Sequence, residues 1–566
     1  MIDRNLMISG MLGLCLSACG GEADSGGTAT SAASAVLEDL TPQTLTANQA
    51  AYIPPQCYTR TLDTAGRAHN PCMTCHIPPK EPNFVNDGAL QLGYTFAEYA
   101  NTNHWGNLFK DRSQQVAAIS DSAILEYVRH NNYQSSAGKI DLAEKLKAVP
   151  AGWDFDKDGQ WSGFVPDCYM NFDQEGFDRT PGNQYSGWRA FAYTPFLGTF
   201  WPTNGSTDDV IIRLGEPFRR NADGQFDLLA YKTNLAIVEA LMTRQDVPVG
   251  PVDESRFGVD LDKDGTLAVA TRIAFDWAPK EGRTMAFVGQ AKAMQEAGQL
   301  HLAAGLFPEG TEFLHSVRYL DLDAAGKVKL APRMKELRYA RKTGWLTYSD
   351  LESAAITEAT EKAKFPDRLR QLIGNVEQGM SNRAGWVYQG FIEDREGALR
   401  PQTFEETTAC MGCHGGIGAT SDSNFSFPRK LGHDSFQQGW YHWSQRGLQG
   451  VPEPKRADGQ YEYTHYLEQN GAGDEFRENL EVISKFFDGA GNLNPDAANR
   501  LHGDIAELLL PSSGRALQLN KAYKTIVDGQ DFIHGREAMV TPPGNVHESV
   551  ERGQETGVSA IISGPR

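Results

Sequence analysis

The sequence predicts a multidomain α+β protein in which helical regions flank a mixed α+β centre. The chain of 566 residues is 40% hydrophobic, which is enough to build several cores. Strand-like runs at 209–214 and 284–288 lie between turns that contain Gly and Pro, and one helix is expected near 228–242. Helical patterns surround this centre, at 119–129, 349–364, 366–376 and 474–527.

The first 18 residues are predicted to be an export signal. Their apolar run, Leu6–Leu16, is too short to span a bilayer as a permanent helix. The segment Leu16-Ser17-Ala18-Cys19-Gly20 resembles the lipobox of bacterial lipoproteins, which implies cleavage before Cys19 and lipidation of that cysteine. Three acyl chains would anchor the protein stably, because each buried methylene contributes about 0.8 kcal/mol. By analogy with lipoprotein sorting, Gly20 implies the outer membrane.

Two pentapeptides of the pattern C-x-x-C-H carry the main chemical signal, Cys72-Met73-Thr74-Cys75-His76 and Cys410-Met411-Gly412-Cys413-His414. Two thiols three positions apart lie on one turn, where each can form a thioether to a haem vinyl group while the next imidazole reaches the iron. A zinc site would need a second ligand pair nearby, and a thioredoxin-like redox pair needs no following His. The motifs predict two covalent haem c groups, attached at Cys72, Cys75, Cys410 and Cys413, with His76 and His414 as iron ligands.

On these ten residues the chain resembles the c-type cytochromes. The resemblance implies helical, cytochrome c-like domains around the haems, and the predicted helix at 119–129 lies where such a domain would close. The predicted order is a lipoprotein signal peptide (1–18), a flexible tether (19–44), a first haem c domain (45–150), a mixed α+β insert with two Asp-rich loops (151–330), a helical region with the second haem c site (331–540) and a disordered tail (541–566).

The positions of the methionine and histidine residues indicate which side chain would be the sixth ligand of each iron. No Met lies between the first motif and residue 150, and Met539 is the only Met after the second motif. We therefore expect histidine, with His104 at the first haem and His442 or His433 at the second. A structural or exposed histidine is the alternative for each. Two histidine ligands would give lower potentials than His with Met, since an axial Met raises the potential.

Two Asp-rich loops match the first half of a calcium loop, in which carboxylates alternate before a Gly. The carboxylates are Asp154, Asp156 and Asp158 in one loop and Asp260, Asp262 and Asp264 in the other. Position twelve is Val165 or Thr271 where an EF-hand needs a bidentate Glu, so neither loop is a standard EF-hand. Two interpretations stay open: calcium completed by backbone carbonyls or a distant acid such as Asp167, and polar Asp-Gly turns without a metal.

Cysteine number and chain charge bear on the compartment and the partners. Cys57 and Cys168 lie outside the motifs, and an even pair in an oxidising compartment predicts a disulfide, with two buried thiols as the alternative. The net charge of −19 argues against a nucleic-acid partner and suits a basic redox partner, although such an excess of acidic residues also serves solubility.

The dense aromatics from Trp188 to Trp201 favour a packed core over a ligand surface.

Two functions fit these observations. The leading hypothesis is a membrane-anchored dihaem c-type cytochrome that transfers electrons to redox partner proteins in the bacterial cell envelope. The alternative is a dihaem enzyme, such as a peroxidase or oxygenase, in which one iron keeps an open distal site. The large insert between the motifs favours the alternative, whereas no sequence block typical of dihaem peroxidases is recognised beyond the motifs. A structural or sensor lipoprotein is a third, weaker hypothesis.

Overall fold

The computed structural model describes residues 48–76, 78–196, 201–415, 421–471 and 478–562. These described residues all belong to one compact unit. The predicted signal peptide, the tether and Cys19 lie outside the described residues. No helix within the described part of the chain is long and apolar enough to cross a membrane.

Strands and helices both occur along the described chain, and this mixed content confirms the predicted α+β class. The strands are β1 (Gly93–Tyr94), β2 (Phe177–Arg179), β3 (Tyr185–Phe191), β4 (Val210–Arg213), β5 (Val247–Asp253), β6 (Val269–Ile273), β7 (Glu312–Leu322), β8 (Val328–Lys342), β9 (Ile373–Asn375), β10 (Gly379–Ser381), β11 (Trp386–Glu393), β12 (Leu399–Pro401) and β13 (Gln554–Glu555).

The α-helices are mostly short. They are α1 (Ser113–Ala118), α2 (Asp121–Arg129), α3 (Asp141–Leu146), α4 (Leu228–Thr243), α5 (Gln290–Glu296), α6 (Tyr348–Lys364), α7 (Phe404–Thr408), α8 (Cys410–His414), α9 (Glu462–Asn470), α10 (Leu480–Phe486), α11 (Pro495–Gly503), α12 (Ala506–Leu509) and α13 (Ser513–Gly529). Short 3-10 helices are Pro55–Tyr58, Pro71–Thr74, Gly88–Gln91, Glu98–Ala100, Gly106–Phe109, Pro202–Asn204, Glu216–Arg219, Glu254–Arg256, Pro279–Glu281, Phe436–Gly439 and Phe532–His534.

A nine-stranded antiparallel sheet forms the centre of the molecule. Its order is β2-β3-β4-β7-β8-β11-β10-β9, and β12 pairs with β11. Helices α2 and α13 cover the sheet beside β7, where Val128, Tyr319 and Tyr523 are buried in one cluster. A larger cluster surrounds α4 and contains the aromatic side chains of Phe191, Trp201, Phe307 and Trp386 among others.

The sheet crosses the boundary expected at residue 330, because that residue lies within β8. Strands from the expected insert and from the expected second haem region are neighbours in one sheet. The first motif begins on the 3-10 helix Pro71–Thr74 and the second forms the five-residue α8, and cytochrome c-like helical domains are not shown by the described residues. This architecture depends on pairing between strands that are far apart in the sequence. Local sequence patterns do not indicate which strands pair.

Several local predictions are confirmed. Helix α2 begins after Ser120, whose side chain accepts a hydrogen bond from the Ala123 N–H at 3.2 Å. Helix α4 and strand β4 lie where the periodicity predicts them. Helix α6 also forms, but its capping box uses Thr347 and Asp350, so the helix begins at Tyr348, one residue before the predicted segment 349–364.

Two local predictions are wrong. Residues 366–376, predicted as a helix, contain β9, because pairing with β10 overrides helix propensity. Residues 284–288, predicted as a strand, have no ladder partner in the described chain. The Val288 N–H donates instead to the side chain of Asn234 at 2.9 Å.

The segment 541–562, expected to be disordered, is built into the fold. Val546 and Val550 are buried with Tyr58 and Trp105, and β13 pairs with β1. This part of the predicted tail therefore packs beside the first C-x-x-C-H motif. Residues 563–566 lie outside the described residues.

Candidate functional site

One cavity of about 1180 Å³ has both C-x-x-C-H motifs in its wall. All six motif positions that carry chemistry contribute to the lining: Cys72, Cys75, His76, Cys410, Cys413 and His414. Aromatic side chains form much of the remaining wall, including Tyr52, Phe96, Trp105, Phe191, Tyr193, Trp201, Phe313 and Tyr388. The aromatics around Trp201 therefore serve both as core and as cavity wall. The fold thus brings together two motifs that are far apart in the sequence.

The first motif lies on a single tight turn. The 3-10 helix Pro71–Thr74 places the N–H groups of Cys75 and His76 on the Cys72 carbonyl, at 3.1 and 2.8 Å. His76 is 7% exposed, and its Nδ1 atom has no hydrogen-bond partner among the described residues. Burial lowers the pKa of His76, so its imidazole is neutral at pH 7.

A fully buried glutamine holds the first motif in place. Gln91 is 0% exposed, and its Nε2 donates to the carbonyl of His76 and to that of Ile562 at 3.0 Å. Its Oε1 accepts from Asn70 Nδ2 at 3.1 Å and from the Ile562 N–H at 2.8 Å. This network joins Ile562 to the backbone of the motif histidine.

The second motif continues a capped helix. Thr403 and Glu406 form the capping box of α7, and Ala409 keeps helical angles between α7 and α8. The first turn of α7 is further fixed because the buried Glu406 carboxylate pairs with Arg400 at 2.8 and 2.9 Å. Helix α8 consists of the motif itself.

Close packing explains the glycine inside the second motif. A Cβ atom on Gly412 would lie 2.3 Å from the carbonyl oxygen of Tyr52 and 2.8 Å from Cδ of Pro54. Helix α8 therefore rests on the backbone that leads into the 3-10 helix Pro55–Tyr58. Only a residue without a side chain allows this approach.

The motif histidine of α8 has a defined orientation. Its Nδ1 donates to the carbonyl of Ser423 at 2.9 Å, and this bond leaves the lone pair on Nε2. A hydrogen bond of this kind orients a metal-ligating imidazole. Burial lowers the pKa of His414 to about 4, so the ring is neutral at pH 7. Asn382 Nδ2 donates to the His414 carbonyl at 3.1 Å.

The motif cysteines are half-buried, and a third cysteine, Cys57, lines the same cavity. Burial raises the pKa of Cys72 to about 12 and that of Cys413 to about 11. Cys57 also lines the cavity, and its pKa is raised by burial and then by the Cys72, Cys75 and Cys413 thiols. Cysteines of both motifs therefore line the same cavity as Cys57.

The predicted disulfide between Cys57 and Cys168 does not form. Both are free thiols in separate hydrophobic clusters, and Cys168 Sγ lies 3.8 Å from Met170 Sδ. Burial raises the pKa of Cys168, so this thiol stays protonated. An even cysteine count gives no information on spatial proximity, and the prediction rested on that count.

A polar group that sequence reasoning missed lies in the same cavity. His315 on β7 and Arg338 on β8 are direct cross-strand partners, and both line the cavity with Asp208. His315 Nδ1 is 3.9 Å from Asp208 Oδ2, and the Tyr193 hydroxyl donates to Oδ1 of the same carboxyl.

Burial dominates the electrostatics of this group. It lowers the pKa of His315 to about 3, with a further contribution from the positive charge of Arg338. It raises the pKa of Asp208 to about 7. The Glu336 carboxylate lies 3.0 Å from Nε of Arg338 and raises the pKa of that guanidinium, so Arg338 stays charged. Only the strand register brings these side chains together, so no spacing along the chain could have shown the group.

The histidines expected at the sixth positions lie elsewhere. His442 is buried, with Nε2 2.8 Å from Asp209 Oδ2 and Nδ1 2.7 Å from Ser444 Oγ, so neither ring nitrogen is left for a metal. His433 is exposed on the surface. His104 donates from Nε2 to the carbonyl of Tyr99 at 3.2 Å, next to the cavity but outside its lining.

Each Asp-rich loop gains a carboxylate from another segment. Ligand oxygens of Asp154, Asp156 and Glu377 lie within 4.8 Å of one another, as do those of Asp260, Asp262 and Glu254. Asp167, the distant acid considered from the sequence, instead pairs with Arg213 at 2.5 Å and accepts from Trp188 Nε1 at 2.7 Å. Neither Glu377 nor Glu254 occupies position twelve of its loop, so the EF-hand pattern could not reveal them.

Comparison with known proteins identifies the family. A family model described as "-like lipoprotein" matches residues 41–499, which include both C-x-x-C-H motifs. The chain belongs to this lipoprotein family. A relative from Aquifex aeolicus (strain VF5), described as an uncharacterized lipoprotein, is 30% identical, and the match covers 89% of each chain. No solved structure matches this lipoprotein. Family membership confirms the lipoprotein prediction and agrees with the predicted location in the cell envelope.

Proposed function

We propose that this lipoprotein is a dihaem c-type redox protein that transfers electrons in the bacterial cell envelope. The observation that carries the proposal is the cavity shared by the two C-x-x-C-H motifs. Two haems attached at these motifs would be neighbours in one apolar enclosure. Such neighbours form a short path for an electron through the protein.

The residues present fit two haem groups. A volume of about 1180 Å³ exceeds the roughly 300–1,000 Å³ of ordinary small-molecule pockets. Four motif thiols and two neutral imidazoles line it, which is the donor set of two covalent haems. Cationic side chains of the wall that would complement the haem carboxylates include Arg370 and Arg383.

When bound, haem c supplies one-electron chemistry at iron. The protein contributes the rest. Cys72, Cys75, Cys410 and Cys413 provide the thioether positions, and His76 and His414 provide the proximal imidazoles. The Ser423 carbonyl fixes the orientation of the His414 ring. The aromatic wall would lower the local dielectric around the haems, which tunes their potential.

We further propose that the chain faces the periplasm from the outer membrane, held through lipidated Cys19. The net charge of −19 favours a basic redox partner in that compartment. Any cytochrome c-like character is confined to the immediate surroundings of the motifs, since the nine-stranded sheet forms the body of the fold.

The test is a haem count on the full mature chain, made in a host with cytochrome c maturation. Wild type should carry two covalent haems by the pyridine haemochrome assay. The double variants Cys72→Ala/Cys75→Ala and Cys410→Ala/Cys413→Ala should each carry one. Cys168→Ala, a buried cysteine outside the cavity, is the matched control and should keep both. A wild-type protein without covalent haem would overturn the proposal.

A second candidate function, a dihaem peroxidase-like or oxygenase-like enzyme, is favoured by one specific observation. His315, Arg338 and Asp208 place an imidazole, a guanidinium and a carboxyl in the cavity beyond the motif ligands. Polar groups beside a haem decide between substrate activation and electron transfer. A high-spin ferric EPR signal together with binding of carbon monoxide to the ferrous protein would favour the enzyme. If His315 would instead hold the iron of one haem, that haem would be low-spin in the ferric protein, and His315→Ala should convert it to high-spin while His442→Ala should not.

A further inference from the structure

The first Asp-rich loop meets the turn between β9 and β10 at Glu377. Asp154, Asp156 and Glu377 each place a carboxylate oxygen within 4.8 Å of the other two. No ion pair among the described residues involves these three side chains, so no basic side chain neutralises the cluster. Three carboxylates this close repel one another unless a cation lies between them.

Hydrogen bonds and close packing hold Glu377 against this loop. It is 1% exposed, and its Oε2 accepts from the Phe155 N–H at 3.1 Å while its Oε1 accepts from the Ser162 N–H at 2.5 Å. A Cβ atom on Gly163 would lie 1.9 Å from the Glu377 carbonyl oxygen, so the two segments approach as closely as a glycine permits. Each carboxylate oxygen keeps a lone pair after these bonds.

A second, independent observation points to a ligand at this position. Asp154 is 8% exposed, and its Oδ1 atom is buried without a hydrogen-bond partner. Its Oδ2 is engaged by the Gly159 N–H at 2.9 Å. A buried carboxylate oxygen without a partner is costly, and buried charges are normally paired or coordinate a metal. The unpartnered oxygen belongs to Asp154, whose neighbours in the carboxylate cluster are Asp156 and Glu377.

We propose that Asp154, Asp156 and Glu377 bind a calcium ion. Oxygen-only ligands and a wrapped loop suit a hard divalent cation, and a flexible set of this kind suits calcium better than magnesium. Glu377 performs the closing role that position twelve plays in an EF-hand, although it comes from a different part of the chain. The Asp260 loop has a similar set with Glu254, but Asp260 is only half-buried, and the proposal is confined to the first loop.

The bound ion would join the 154–162 loop to the β9–β10 hairpin. Strand β10 leads directly to Asn382, which donates to the carbonyl of His414. Calcium at this site would therefore support the backbone beside the second motif. The inference does not depend on haem binding, because its ligands lie outside the cavity.

The test is isothermal titration of the full mature chain, freed of calcium by chelator, with calcium chloride. Asp156→Asn and Glu377→Gln should each bind one calcium ion fewer per chain than wild type. Glu352→Gln, which removes one exposed charge on α6, is the control and should match wild type. Asp156 is exposed, so its variant is expected to fold even where Glu377→Gln does not, and circular dichroism checks both.

Melting curves give a second readout. Calcium should raise the melting temperature of wild type and of Glu352→Gln by a larger amount than that of Asp156→Asn. The proposal is overturned if wild type binds no calcium, or if Asp156→Asn binds as many ions as wild type.

Discussion

The contact between α8 and the Tyr52–Pro54 backbone predicts a large effect of a single methyl group. In Gly412→Ala the added Cβ lies 2.3 Å from the Tyr52 carbonyl oxygen, about 1 Å inside an ordinary C···O contact. The obstructing Tyr52 oxygen belongs to the backbone, so no side-chain rotation can relieve the contact. Overpacking of this kind costs about 1–3 kcal/mol, while Ala gains about 1 kcal/mol over Gly in a helix. We expect the free energy of unfolding to fall by up to about 2 kcal/mol.

Urea unfolding followed by tryptophan fluorescence measures this change. Gly489→Ala is the matched control, because a Cβ atom at this position would have no other atom within 4 Å and the backbone is not left-handed. The midpoint of Gly412→Ala should lie below those of wild type and of the control. Equal midpoints for the two glycine variants would refute the reasoning about the α8 contact.

Three further predictions concern other parts of the chain. Gln91→Leu leaves buried backbone groups of His76 and its neighbours unpaired, so unfolding in urea should show a loss of roughly 2–4 kcal/mol, and unchanged stability would contradict this role. Burial raises the pKa of Glu453 to about 7, so wild type should lose stability relative to Glu453→Gln as pH rises from about 4.5 to 7, whereas parallel pH profiles would contradict the shift. Cys19→Ala should shift the protein from the membrane to the soluble fraction or leave an uncleaved precursor, and normal acylation of the variant would contradict the lipobox.

The sign for Glu453 follows from its two protonation states. The folded protein favours the neutral carboxyl, whereas the unfolded chain ionises near its ordinary pKa of 4.5. Between these values only the unfolded state loses the proton, so stability falls as pH rises and levels off above about 7. Gln can accept the Thr464 N–H bond and donate to the Thr464 hydroxyl, so it keeps both contacts without the charge.

Elements with a strong local pattern were predictable from the sequence. Helix α4 and strand β4 follow from hydrophobic periodicity, and α2 follows from its Ser120 cap. The two C-x-x-C-H motifs indicated residues that prove to line the cavity. Their chemistry is local, because five consecutive residues contain the whole donor set.

Features that depend on long-range pairing were not predictable. The antiparallel sheet brings His315 opposite Arg338, and nothing in the separate segments indicates that register. The same limit applies to Glu377, which reaches the Asp154 loop from a hairpin whose first strand was predicted as helix. It also explains the wrong disulfide prediction, since Cys57 and Cys168 belong to separate clusters.

The central claim is that both motifs hold haem in one shared cavity. Electron paramagnetic resonance of the fully ferric protein tests it most directly, by comparing wild type with the Cys72→Ala/Cys75→Ala and Cys410→Ala/Cys413→Ala variants. Two irons confined to a cavity of about 1180 Å³ should couple magnetically, so the wild-type spectrum and relaxation should differ from the sum of the two variants. A wild-type signal equal to that sum, with unchanged relaxation, would contradict the claim.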